Sequence, residues 1–96
     1  MPSVKPGVVT GSAYRDLVAA CKQDGYALPA VNITSSSTMN AALEAAANAG
    51  SDIIIQLSNG GAQFFAGKGI KDAAAARVVG AVSAARHAQL MAEYYG

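Results

Sequence analysis

The segment Asp52-Ile53-Ile54-Ile55-Gln56-Leu57-Ser58 constrains the fold more than any other. It is apolar without alternation, carries three isoleucines in a row, and stops at Asn59-Gly60-Gly61. A strand with one solvated face alternates apolar and polar residues. An unbroken apolar run therefore marks a strand covered on both faces, as in parallel sheets. A weaker segment of the same kind, Tyr26-Ala27-Leu28-Pro29-Ala30-Val31-Asn32-Ile33, precedes it. Pro29 would break a ladder bond in a central antiparallel strand; near the start of a parallel strand it is easier to place.

Helix signals surround both segments. Ser12 is the expected N-cap of a helix over about Ala13 to Asp24, with Tyr14, Leu17, Val18 and Cys21 on one face and Gly25 at its end. Thr34-Ser35-Ser36-Ser37 offers several N-caps for a second helix. Its stripe is Met39, Ala42, Leu43, Ala46 and Ala47, and Gly50 closes it. After the second strand a loop containing Gly67-Lys68-Gly69 is expected. Asp72 then caps a long helix from Ala73 to about Tyr95, with Val78, Val79, Val82, Ala85 and Leu90 predicted to line its buried side. Gly80 inside that helix costs about 1 kcal/mol relative to alanine, which points to close packing there.

The predicted order is helix, strand, helix, strand, helix, and the class is α/β. Two strand–loop–helix units after a leader helix open either a doubly wound sheet or a (β/α)8 barrel, which typically takes about 250 residues. The chain has 96 residues, one small domain at most. Two parallel strands leave edges that invite pairing. Composition agrees: 52% of residues are hydrophobic and only 14% charged, against about 25% charged in ordinary domains, so large faces are expected to be buried against something else.

Several function classes drop out. A net charge of +1 with no basic cluster gives no reason to propose nucleic acid. No apolar run approaches the roughly 20 residues of a spanning helix, and Met1 to Gly11 has no signal-peptide core, so a soluble, cytoplasmic chain without membrane partners is expected. Cys21 is the only cysteine, so no internal disulfide can form; on its apolar helix face it reads as inert core.

Polar residues at the strand ends are the candidate site. Asn32 and Ser58 each follow an apolar run, one βα repeat apart, at the edge where parallel α/β folds bind ligands. Position alone leaves ligand contact and turn capping both open. Asn59-Gly60-Gly61 could form an anion nest, with an ordinary strand exit as the simpler role. The spacing Gly61 to Gly67-Lys68-Gly69 is not a Walker A loop, and it lacks the third glycine of a dinucleotide fingerprint. His87 is the sole histidine, sits beside Arg86, and is expected on the surface or in packing, not on a metal. Glu44 and Asp52 are not obviously paired, and no nucleophile–base arrangement can be built.

Five segments occur in order: Lys5-Pro6-Gly7-Val8-Val9-Thr10-Gly11, Ala27-Leu28-Pro29-Ala30-Val31-Asn32, Gln56-Leu57-Ser58-Asn59-Gly60-Gly61-Ala62, Ala66-Gly67-Lys68-Gly69 and Met91-Ala92-Glu93-Tyr94-Tyr95-Gly96. Together they resemble the N-terminal portion of class II, zinc-dependent fructose-bisphosphate aldolase. The resemblance covers nearly the whole chain. It implies a (β/α)8 barrel, usually a homodimer, that reversibly cleaves fructose 1,6-bisphosphate to dihydroxyacetone phosphate and glyceraldehyde 3-phosphate in glycolysis and gluconeogenesis. It implies substrate contacts at Asn32 and, on the glyceraldehyde phosphate side, at Ser58. The family's zinc ligands, its catalytic aspartate and its phosphate loops match nothing in this chain. His87 falls on no ligand position. Residues 1–96 are thus expected to be the leader helix plus the first two βα units of a partial barrel, without catalytic or metal residues and inactive alone. Related barrels that cleave tagatose or sedoheptulose bisphosphates resemble the Ser-Asn-Gly-Gly and Ala-Gly-Lys-Gly segments less closely. The competing expectation is a non-catalytic truncated domain that self-associates, or binds a partner, through its uncovered sheet.

Overall fold

Chain reversal at Thr10 and Gly11 starts the described structure. Thr10 is extended at the N-cap position and Gly11 takes a φ of 60°, so helix α1 (Gly11–Asp24) begins before Ser12. Ser12, expected as the cap, is therefore inside the first turn. Gly25 ends α1 in the left-handed conformation, with a φ of 70°. The structure is a computed structural model that describes residues 6–95. Met1 to Lys5 and Gly96, which include part of the leader segment and the ends of two of the five motifs, lie outside the described residues.

Two short strands follow, β1 (Ala30–Asn32) and β2 (Ile54–Gln56), paired in parallel with Ala30 against Ile54, Val31 against Ile55 and Asn32 against Gln56. Both are shorter than the apolar segments that predict them. Among the described residues each strand has a single neighbour, and pairing extends beyond the strands through the bonds from Ile54 N–H to the Pro29 carbonyl (2.9 Å) and from Ile33 N–H to the Gln56 carbonyl (3.0 Å). Pro29 thus precedes the parallel strand and contributes only its carbonyl.

Helix α2 (Ser36–Ala49) connects the strands. Ser35 Oγ accepts from Thr38 N–H at 3.1 Å, and Thr38 Oγ1 accepts from Ser35 N–H at 3.0 Å. This is a reciprocal capping box with threonine in place of the usual Glu or Gln. Gly50 closes the helix. Two helices follow β2: α3 (Asn59–Ala66) and α4 (Ala73–Tyr95). Asp72 caps α4 as expected, its Oδ1 accepting from Ala74 N–H at 3.0 Å and Ala75 N–H at 3.4 Å.

Helix α3 corrects the sequence reading, which ended regular structure at Asn59-Gly60-Gly61. Glycine pairs usually break elements. Here Ser58 caps the turn, and Gly61 is buried where a Cβ would stand 3.1 Å from the Ile33 carbonyl oxygen. The glycines serve close packing instead of chain reversal.

The buried side of α4 is also different from the predicted one. Val78, Val79, Val82 and Leu90 are 64%, 46%, 46% and 59% exposed, and Ala85 is exposed as well. The buried positions are Ala76, Gly80 and Ala84, spaced by one helical turn. Apolar residues surround α4, so periodicity could not choose a side. Small residues won because they let α3 approach closely. The expected close contact at Gly80 is present: a Cβ there would lie 2.6 Å from the Ala62 carbonyl carbon and nearer still to its oxygen.

Ile33, Met39, Leu43 and Ala84 form the core, with Ile53, Ile55, Leu57, Phe65 and Met91 among the residues packed on it. Helices α2 and α4 thus cover one face of the sheet. Strand side chains alternate, so Ala30, Asn32, Ile54 and Gln56 share the other face. All four are exposed. Double coverage, inferred from the isoleucine run, is realised on one face only among the described residues. The accessible surface is 6295 Å². A compact monomer of 9.6 kDa would expose roughly 5,100 Å². The radius of gyration is 14.4 Å against roughly 12.5 Å for a compact chain of this length.

Candidate functional site

Parallel pairing brings both strand ends to one edge. Asn32 ends β1, and its register partner Gln56 ends β2. The alternation continues through Thr34 and Ser58, so four polar residues share the helix-free side at the C-terminal edge. Sequence reading singled out Asn32 and Ser58, and the fold places both there. It passed over Gln56, which sits inside an apolar run. Only the register, pairing it with Asn32, distinguishes it.

Ser58 has a double function available. Its Oγ accepts from Gly61 N–H at 3.0 Å, and its carbonyl accepts from Ala62 N–H at 2.9 Å, so it is the N-cap of α3. Accepting uses the oxygen and leaves the hydroxyl proton free to donate. The N–H groups of Asn59 and Gly60 open the helix and have no intrahelical acceptor. Such a terminus favours negative charge. The Asn59-Gly60-Gly61 segment is thus a helix start.

Two titratable groups tie α4 to α2. His87 Nε2 meets Asn40 Oδ1 at 2.8 Å, linking α4 to α2. Tyr95 donates its hydroxyl to Glu44 Oε1 at 2.9 Å, again between α4 and α2. That bond to Glu44, with partial burial, raises the Tyr95 pKa above the ordinary 10.0. Glu44, unpaired on sequence reading, therefore has a partner 51 residues away. The Tyr26 hydroxyl is shielded without a hydrogen-bond partner, and burial first, then neighbouring Cys21, raises its pKa. Tyr26 precedes β1, at the opposite end of the strands from Asn32.

No group of three or more His, Cys, Asp and Glu side chains is placed to hold a metal among the described residues. A zinc site needs three or four such ligands. The described residues therefore do not by themselves supply a zinc ligand set. A cavity of about 720 Å³ lies on the helix side of the sheet beside α1. Leu17, Leu28, Met39, Leu43 and Ile53 line it, and neither Asn32 nor Ser58 does. It is a packing gap under the leader helix, separate from the polar edge. Among the described residues no helix is long and apolar enough to cross a membrane.

Residues 12–95 match the family described as fructose-bisphosphate aldolase class-II. The chain belongs to this family. It is 46% identical over 95 residues to the fructose-bisphosphate aldolase class 2 of Escherichia coli K12, covering 97% of this chain and 26% of the relative. It is 47% identical over 95 residues to the fructose-bisphosphate aldolase of Haemophilus influenzae, with the same coverage. The crystal structure of the Campylobacter jejuni fructose-bisphosphate aldolase superposes with a TM-score of 0.88 at 44% identity, over 97% of this chain and 26% of that one. The chain thus spans about a quarter of the length of these relatives. It matches the N-terminal part of a TIM-barrel aldolase, with one leader helix and two parallel strands.

Proposed function

We propose that this chain supplies the leader helix and first two βα units of an enzyme that reversibly cleaves fructose 1,6-bisphosphate to dihydroxyacetone phosphate and glyceraldehyde 3-phosphate. The observation that carries this function is the position of Asn32 at the end of β1 and of Ser58 just beyond the end of its parallel partner β2, at the N-terminus of α3, in a chain of the aldolase family. The Ser58 hydroxyl and the first N–H groups of α3 suit a phosphate oxygen. The Asn32 amide, with Gln56 beside it, offers donors and acceptors for sugar oxygens. These groups orient a substrate. They move no proton themselves. Proton transfer and metal binding fall to the rest of the barrel, so the 96-residue chain alone has no aldolase activity. Its partners are the remaining barrel, a second subunit and a sugar bisphosphate, in the cytoplasm.

The test is a chimaera in which residues 1–96 replace the matching part of the Campylobacter jejuni relative. It is expected to cleave fructose 1,6-bisphosphate faster than the tagatose or sedoheptulose bisphosphates. Asn32→Ala and Ser58→Ala are each expected to lower kcat/KM about tenfold or more, the scale of a hydrogen bond to a charged group. A fully active chimaera indifferent to both substitutions would remove Asn32 and Ser58 from the site. Turnover by the 96-residue chain alone would refute its dependence on the barrel. The excess surface favours a second function class, a non-catalytic module that self-associates. A discrete oligomer of the chain that neither binds substrate nor completes a barrel would establish it.

A further inference from the structure

We infer that Gly80 and Gly61 are positioning residues for Ser58: the contact of α4 with α3 and of α3 with the exit of β1 sets where the Ser58 hydroxyl stands. This rests on Ser58 as a substrate contact and extends the site to two residues that touch no substrate. Mid-helix glycine is disfavoured relative to alanine, so Gly80 needs a reason. Its reason is backbone: the Ala62 carbonyl occupies the space of its missing side chain, with the carbonyl carbon 2.6 Å from a built Cβ. Ala62 N–H in turn donates to the Ser58 carbonyl at 2.9 Å. On the other side, Gly61 N–H donates to Ser58 Oγ at 3.0 Å, and a Cβ on Gly61 would stand 3.1 Å from the Ile33 carbonyl oxygen and 3.3 Å from Ser58 Oγ. The first turn of α3 is therefore held between the exit of β1 and α4 at two points, one tight for a side chain (Gly61) and one that excludes it (Gly80). Ala76 and Ala84, one turn either side of Gly80, are fully buried and keep α4 on the same line.

The displacement follows from contact distance. Carbon atoms pack at about 3.5 to 4.0 Å, so an alanine at Gly80 drives the Ala62 carbonyl carbon back by at least about 1 Å, and its nearer oxygen further. The Ser58 carbonyl and the Gly61 N–H belong to the same turn and move with it. A shift of about 1 Å takes a hydrogen bond out of its range of about 2.7–3.2 Å, so substrate contact at Ser58 is weakened.

The experiment uses the chimaera. Gly80→Ala is expected to raise KM for fructose 1,6-bisphosphate about tenfold or more with kcat little changed, because Ser58 holds ground state and transition state alike. It is also expected to speed amide hydrogen exchange at Gly61 while leaving Thr38, in the cap of α2, unchanged. If Gly80 acts through Ser58, Ser58→Ala costs less in the Gly80→Ala background than alone. Gly69→Ala, where nothing lies within 4 Å of a built Cβ, is the control. If Gly80→Ala does not fold, Gly61→Ala makes the milder clash and is expected to shift KM in the same direction. Additive effects of Gly80→Ala and Ser58→Ala, or an unchanged Gly61 exchange rate in the folded variant, would overturn the inference. Loss of the Gly61 cap without any change in KM would overturn the role of Ser58 in binding while leaving the clamp itself intact.

Discussion

Expressed without the remainder of a barrel, the 96-residue chain is expected to fail as a cooperatively folded monomer. It exposes 6295 Å² where a compact chain of its mass would expose roughly 5,100 Å², an excess of about 1,200 Å². If about 55–60% of that is apolar, as on protein surfaces generally, roughly 700 Å² of apolar area stays in water. At about 25 cal/mol per Å² this forgoes roughly 17 kcal/mol, an upper figure because unfolded chains also bury some surface. Whole domains are stable by only about 5–15 kcal/mol. The exposed apolar groups are specific: Ile54 on the open sheet face, Val78, Val82 and Leu90 on α4, Phe64 on α3. Sedimentation and urea unfolding followed by circular dichroism, over about a hundredfold range of concentration, measure the consequence. Association that rises with concentration and a broad transition are expected, replaced by a sharp one when the rest of a class II barrel is supplied. A 9.6 kDa monomer at every concentration, with one cooperative transition, would refute the reasoning.

Two other outcomes follow from the packing and the hydrogen bonds. Met39→Ala, at a fully buried position between α2 and the sheet, is expected to destabilise the chimaera by about 2–5 kcal/mol, read as a lower urea midpoint at constant m. Tyr95 donates its proton to Glu44, so its raised pKa makes the contribution complete below about pH 10 and lost as pH rises through the raised value. Tyr95→Phe is expected to abolish that alkaline loss, measured as urea midpoints from pH 8 to about 11.5. An unchanged alkaline slope would show that the bond contributes nothing.

Local signals were legible where one residue's chemistry decides. Gly25 and Gly50 end helices, Asp72 starts one, and the serine cluster holds the cap of α2. Ser12 failed as a cap because Gly11 turns the chain earlier, a backbone choice that competing polar residues do not reveal. The place of Asn32 and Ser58 at the strand ends was legible because each follows an apolar run. Gln56 was not, because register is a relation between two segments.

The two strands, the leader, connecting and long final helices, the α/β class and the family are properties of the sequence, since periodicity, caps and motif order are local or sequential. Tertiary structure decided which face of α4 is buried. There the valines offer more apolar area, yet the Ala76, Gly80 and Ala84 line won because close backbone approach excludes the larger side chains. It also decided that Asn59-Gly60-Gly61 starts a helix, since only the neighbouring Ile33 and Ala62 carbonyls show why glycine stands at Gly61 and Gly80. Close approach of two backbones depends on residues distant in the chain, and no local pattern records it.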